Sequence, residues 1–367
     1  MAQNRKKRVK VLATMISALV ALLILEAGLQ VYYRLTVHSW LWAYNAFHVT
    51  FIDEVADRRQ YALRKGFSDS RIGVTINFTG FRAPAEWNEP GRETPVIAAL
   101  GDSKSFGSGV GDKETYAYLL DRLLAQDGSQ MRVVNAGVPS YNTRQAIDRF
   151  RIDVLPNYDV KTVVFHAAFN DISLLTYYRD KWDPDKTWAD IRYKGFKPPL
   201  PVIQRLATFY FLTKLLTART DESPVDRSKD VTYALYPDDA MIANLRAELN
   251  DFLTDCEARS ISVVLLPIDP FYYQTANADR NENLFLWSQN RQYVDAWRGT
   301  IGHYDELLAE MARTHRNVYF LDTRRAMDEN DRDKIFVDAV HYSATGNKIV
   351  AESLAALLKK EHILDQR

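Results

Sequence analysis

Five short apolar runs rich in β-branched residues recur along the chain, separated by segments whose apolar residues fall at helical spacing. The runs are Thr94 to Leu100, Arg132 to Asn135, Thr162 to His166, Ser262 to Pro267 and Val318 to Leu321. The helical segments are Glu114 to Leu124, Arg144 to Leu155, Asp239 to Arg259, Asn290 to Thr314 and Thr345 to Lys360. A helix between two strands returns the chain to the end from which it started, so the strands it joins pair in parallel. The pattern therefore predicts an α/β fold: a three-layer α/β/α sandwich around a mainly parallel five-stranded sheet, flavodoxin-like in type.

The N-terminus has a different character. Arg5, Lys6, Lys7, Arg8 and Lys10 precede an uncharged apolar run from Val11 to Leu25, which continues past Glu26 to about Tyr33. Such a stretch spans roughly 30 Å of hydrocarbon. Tyr32, Tyr33, Trp40 and Trp42 suit the far interface, and the basic flank stays in the cytoplasm. With no convincing small-x-small cleavage site, an uncleaved anchor is predicted over a cleaved signal peptide. Glu26 is costly there unless it lies near the interface or pairs with a neighbour such as Arg34.

The expected organisation is a cytoplasmic basic tail over 1–10, a transmembrane signal anchor over 11–33, and a juxtamembrane region over 34–93 that packs on the main domain. The main domain covers 94–362, on the periplasmic side of the inner membrane. Between Leu174 and Tyr236 the pattern lapses into Trp182, Trp188, Lys197-Pro198-Pro199 and a polar stretch from Thr220 to Asp230. This reads as an insertion, a lid or mobile surface, whose aromatics either pack on the core or line a substrate site. Lys+Arg and Asp+Glu balance at 47 each, so no basic excess points to nucleic acid. The single cysteine, Cys256, excludes an intramolecular disulfide and a cysteine zinc site, and is expected to be a buried thiol.

Ligands of open α/β sheets collect beyond the carboxyl ends of the strands. Gly101-Asp102-Ser103-Lys104-Ser105-Phe106-Gly107 follows the first run, Asn135-Ala136-Gly137 ends the second, and Ala168-Phe169-Asn170-Asp171 follows the third. Asp338-Ala339-Val340-His341 precedes the last helix. Together these supply the roles of acyl transfer. Ser103 attacks a carbonyl, His341 accepts its proton, and Asp338, three residues earlier, can reach the imidazole Nδ1. The Ser103 N–H, the Gly137 N–H and the Asn170 amide are candidate oxyanion donors, each typically worth roughly 3 to 4 kcal/mol. His166 reads as a packed histidine and Lys104 as a solvated one. Neither metal-ligand spacing nor a Walker-type phosphate loop occurs, so no metal and no cofactor are expected.

These blocks resemble the SGNH subgroup of the GDSL esterases and lipases over about Val96 to Leu357. The block residues fall on Ser103, Gly137, Asn170, Asp338 and His341. A lone Gly-Asp-Ser is weakly specific; four blocks in order are far more so. Thr79-Gly80-Phe81-Arg82 and Gly107-Ser108-Gly109-Val110 resemble bacterial membrane-anchored members. The sequence departs from the family at Ala168, where glycine is usual, and at Ser140, where it is frequent. The resemblance implies a Ser-His-Asp esterase that forms an acyl-enzyme outside the cytoplasm, acting on a small acyl group carried by a glycan or lipid. An O-acyltransferase, in which a sugar hydroxyl resolves the acyl-enzyme, would use the same residues. A non-catalytic glycan-binding or assembly protein is the third reading, and the complete Ser, Asp and His set argues against it.

Overall fold

Strand β1 (Pro95–Gly101) is the hub of the sheet, because its side chains from Val96 to Leu100 are fully buried and both of its edges are paired. With β2 (Arg132–Asn135), β3 (Asp159–His166), β4 (Ser262–Leu265) and β5 (Val318–Phe320) it forms a five-stranded sheet in the order β2-β1-β3-β4-β5, parallel throughout. In the computed structural model, the described residues are 2–37, 51–178, 181–188, 190, 206–209, 211–212, 238–269, 291–328, 332–338 and 340–365.

Successive strand side chains point to opposite faces, and here each face meets its own helical layer. Val96, Ala98, Leu100, Val163, Phe165 and Val263 join one core, which is closed by α4 (Thr143–Arg149), α6 (Asp239–Ala258) and α7 (Arg291–Thr314). Ile97, Ala99, Val133, Val164 and Val264 join the other, closed by α3 (Tyr116–Gln126) and α8 (Ala344–Lys360). Other helices are α1 (Ala2–Val37), α2 (Ser103–Phe106) and α5 (Phe169–Tyr178), and the short helices Arg324–Asp328 and Arg332–Ile335 precede α8. The helix starts carry their capping residues: Thr115 Oγ1 accepts from Tyr118 N, Ser343 Oγ from Gly346 N, and Asn142 with Gln145 forms a reciprocal capping box. Cys256 is buried, which pushes its thiol up to about 12.

The helix predicted over Arg144 to Leu155 is in two parts. After Arg149 it widens into a π-turn over Phe150–Val154, closed by Leu155 N–H donating to Phe150 O at 3.0 Å. Phe150 and Val154 both remain in the core, while Asp153 pairs with Arg149 and Arg59. Residues 174–178, counted with the insertion, continue α5. Trp182 and Trp188 pack inward, whereas Lys197-Pro198-Pro199 and Thr220 to Asp230 lie outside the described residues.

The chain forms two compact units: Asp53–Tyr193 with Ser223–Arg367, and Met1–Ile52 with Lys194–Glu222. The first holds the sheet and includes residues 53–93. In the second, α1 carries the stretch Val9–Tyr32, 24 residues of mean hydropathy 2.2, long and apolar enough to cross a membrane. The Glu26 carboxylate of α1 accepts hydrogen bonds from Gln30 Nε2, Ala207 N, Thr208 N and Thr208 Oγ1 at 2.7 to 2.8 Å. The side chain of Arg34, its expected partner, lies outside the described ones.

Candidate active site

The chain reverses its direction of growth between β1 and β3, and the three blocks that follow β1, β2 and β3 gather at this switch point. At the end of β1, Gly101 has φ 151°, and a Cβ there would stand 1.9 Å from the His166 carbonyl oxygen, so only glycine admits the turn. Asp102 caps α2, its Oδ1 accepting from Lys104 N at 2.9 Å, and Ser103 becomes the first helical residue. No hydrogen bond among the described residues takes up the Ser103 N–H, as befits a first-turn donor.

The turn is braced from behind. The buried Arg82 donates to the carbonyls of Phe106, Gly107 and Val110 at 2.7 to 2.8 Å and pairs with Asp112 Oδ1 at 2.8 Å. The Phe106 and Gly107 carbonyls end α2 and that of Val110 lies in the turn beyond it, and one planar guanidinium serves all three. Arg149 does the same for the second block, donating to Ala136 O at 2.8 Å and Gly80 O at 2.7 Å.

His341 Nε2 lies 2.9 Å from Ser103 Oγ, and its Nδ1 lies 2.7 Å from Asp338 Oδ2. With the imidazole proton on Nδ1, the serine hydroxyl donates to Nε2 and the ring donates to the carboxylate, so one tautomer satisfies both bonds. Asp338 Oδ1 accepts from Val340 N and His341 N at 2.8 Å each. Burial works against the carboxylate charge, but the facing His341 and these donors outweigh it and hold the Asp338 carboxyl down to about 2. Ser103, His341 and Asp338 therefore meet in one relay.

The candidate oxyanion donors are placed less uniformly. A Cβ on Gly137 would stand 2.1 Å from Phe106 N, so glycine lets the second block lie directly on α2; its N–H donates to Asn135 Oδ1 at 3.1 Å. Asn170 Nδ2 donates to Tyr141 O at 3.0 Å and points a second proton toward Asp102 Oδ2 at 3.5 Å, a long contact. Asp171, next to it, accepts from the Thr143 N–H and hydroxyl at 2.9 and 3.0 Å, tying α5 to the start of α4. Burial raises the carboxyls of Asp102 and Asp171 to about 6 each. Ala168 and Ser140, the two departures from family glycines, both sit at left-handed φ, 78° and 66°.

Lys104 is not solvated as its sequence context suggested. It is 3% exposed; its ammonium donates to the Asp269 carbonyl beyond β4 and lies 4.6 Å from the centre of the Tyr342 ring. His166 is buried between Tyr116 and Tyr342, and burial together with the Lys104 charge keeps its pKa well below the ordinary value. The sequence reading missed Lys104, Arg82 and Arg149. For Arg82 a signal existed in the Thr79-Gly80-Phe81-Arg82 motif; for Lys104 the partner lies 165 residues away.

The model of the GDSL-like Lipase/Acylhydrolase family matches residues 99–349. Several solved structures resemble the chain at low identity. An alpha/beta hydrolase enzyme from the metagenome of Lake Arreo, Spain, is 13% identical (TM-score 0.43; 76% of this chain, 99% of that one). A lipase/acylhydrolase from Enterococcus faecalis is 15% identical (0.41; 73% and 96%). An acetylxylan esterase from Geobacillus stearothermophilus, solved as a catalytic mutant, is 16% identical (0.41; 74% and 96%). No curated protein matches the chain significantly. The chain belongs to the GDSL-like lipase/acylhydrolase family and is an ester hydrolase of that family.

Proposed function

We propose that this member of the family is a serine esterase that cleaves its substrate through an acyl-enzyme on Ser103, held at the outer face of a membrane by α1. The observation that carries the reading is the relay Ser103 Oγ, His341, Asp338 with bonds of 2.9 and 2.7 Å. As Ser103 Oγ attacks the ester carbonyl, His341 Nε2 takes its proton. The imidazolium so formed faces the ionised Asp338, which stays charged because its carboxyl is held down to about 2. His341 returns the proton to the leaving alkoxide, and water, activated by the same nitrogen, then releases the acid. The Ser103 N–H meets the oxyanion; the Asn170 amide joins it by giving up its long contact with Asp102 Oδ2, and the Gly137 N–H by exchanging its Asn135 acceptor for the developing charge.

The length and hydropathy of α1, with a basic flank ahead of it, support an anchor that leaves the hydrolase outside the cytoplasm. The family resemblance of exported, anchored members supports a small acyl group on a glycan or lipid as substrate. A fluorophosphonate probe on the full-length protein tests the mechanism. It should label the wild type and not Ser103→Ala, and aryl acetate turnover should vanish in parallel. Persistent turnover by Ser103→Ala would overturn the reading. Offering an acyl donor with and without an oligosaccharide, and identifying the product, separates hydrolysis from transfer.

A further inference from the structure

A carboxylate inside hydrocarbon is tolerated only when donors surround it, and the first-turn N–H groups of a helix in hydrocarbon equally need acceptors. In the unit that contains α1, the two needs meet. The Glu26 carboxylate takes the N–H groups of Ala207 and Thr208, where a helical run begins, together with the Thr208 hydroxyl. Glu26 precedes Tyr32 by about 9 Å of helix axis, which places it below the far edge of the apolar stretch Val9–Tyr32.

The run then follows α1 toward that edge. Ala207 is fully buried beside Leu29, and further on the Phe211 ring packs against Tyr32 with centroids 5.8 Å apart. Leu206 and Leu212 turn outward, 40% and 51% exposed, as do Leu22 and Leu25 on α1 at 55% and 53%. In sequence the run is bounded by Gln204-Arg205 and Thr213-Lys214, whose long basic side chains are of the kind that reach headgroups from an apolar segment, with Leu200, Val202 and Ile203 before them and Leu215 and Leu216 after. Among the described residues the run is apolar on its outer side and polar at Thr208, where it meets the capped carboxylate, a pattern suited to lipid.

We propose that the run described at residues 206–209 and 211–212 forms a second lipid-contacting element. This piece of the insertion enters the outer hydrocarbon layer, is locked to α1 by Glu26, and ends beside Tyr32 at the interface. Its partner is the acyl-chain region of the bilayer. The proposal rests on α1 being the retained membrane anchor, and it gives that anchor a reason to be retained: cleavage would strip the acceptor from the Ala207 and Thr208 donors.

The test uses the full chain in phospholipid vesicles, with nitroxide labels introduced singly by Leu212→Cys, Leu19→Cys and Arg316→Cys. Cys256 is 1% exposed, and the unsubstituted chain measures its background. Relaxation by oxygen reports lipid and relaxation by a nickel chelate reports water. Labels at 19 and 212 should both favour oxygen several-fold more than the label at 316, whose side chain is 90% exposed. Adding Glu26→Leu should return the label at 212 to water and leave the label at 19 in lipid. A label at 19 in lipid with 212 in water overturns the proposal and leaves the anchor standing. A label at 212 shielded from both relaxants also overturns it, in favour of a protein partner. A label at 19 in water removes the anchor reading and the proposal with it. If 212 stays in lipid after Glu26→Leu, the Glu26 lock is wrong.

Discussion

The nucleophile corner and the histidine loop meet at a single hydrogen bond, yet they are held in different ways. Around Ser103, residues 102 and 104 to 106 are buried, and the supports come from other elements: Arg82 from before β1, Tyr116 from α3, Asp269 from beyond β4. Around His341 the supports are local. Asp338 is bonded by Val340 and His341, Val337 N bonds His341 O, and the side chains of Asp338 and His341 are 44% and 25% exposed. One half of the relay is fixed by the packed domain and the other by a short turn. Substitutions should accordingly damage fold and activity together at the corner, and activity alone in the loop.

The largest expected effect tests the loop. His341→Ala should lower ester turnover by about 10⁶-fold, since triad members act as a unit, with an unfolding midpoint close to the wild type in denaturant. A matching loss of stability would break the distinction. The corner should answer oppositely to Arg82→Met, which strips the Phe106, Gly107 and Val110 carbonyls and leaves Asp112 without its cation. Removing one partner of such a buried pair costs roughly 3–5 kcal/mol, which equilibrium unfolding would detect. A smaller gain is expected from Ala168→Gly. Relief of a left-handed alanine, less the extra entropy of glycine in the unfolded chain, should stabilise by roughly 0.5–1 kcal/mol.

The smallest expected effect is a slope against pH. Burial raises the Asp102 carboxyl to about 6 against the opposing charges of Lys104 and His341, so between about pH 4 and 6 the native protein holds a proton that the unfolded chain has released. Its contribution to stability therefore grows as pH falls from neutral through 6. Asp338, lowered to about 2, contributes in the opposite sense: its share is present above the usual carboxylate range and is lost as pH falls through 2. Asp102→Asn should keep an acceptor for Lys104 N and flatten the rise in melting temperature between pH 7.5 and 5. An unchanged slope would mean that Asp102 is not the group responsible.

Much of this was legible in the sequence, because strands and block residues announce themselves locally. The apolar runs match β1 to β5 within a few residues, and the three-residue spacing of Asp338 and His341 suffices to join them within one turn. What was illegible depends on partners distant in the chain. Lys104 looks like a surface lysine until the loop after β4 and Tyr342 close over it, and the backbone donors on Glu26 come from 181 and 182 residues away. The π-turn at Phe150 was hidden because the apolar spacing fits an unbroken helix equally well. The glycine departures at Ala168 and Ser140 were visible as oddities; only the left-handed φ values give them a cost.

The Arg82 brace bears on how a form of this enzyme without α1 should be cut. Trimming at Pro95, where the five-stranded sheet begins, would preserve every strand of that sheet and every block residue and still discard the guanidinium that closes the Ser103 turn from behind. The Tyr61 hydroxyl, bonded to Pro139 O, would go with it, along with the Arg59 carbonyl that holds Gln145. A fragment that starts at Asp53 retains these contacts together with the whole compact unit, and that start is well upstream of the region where the family likeness begins.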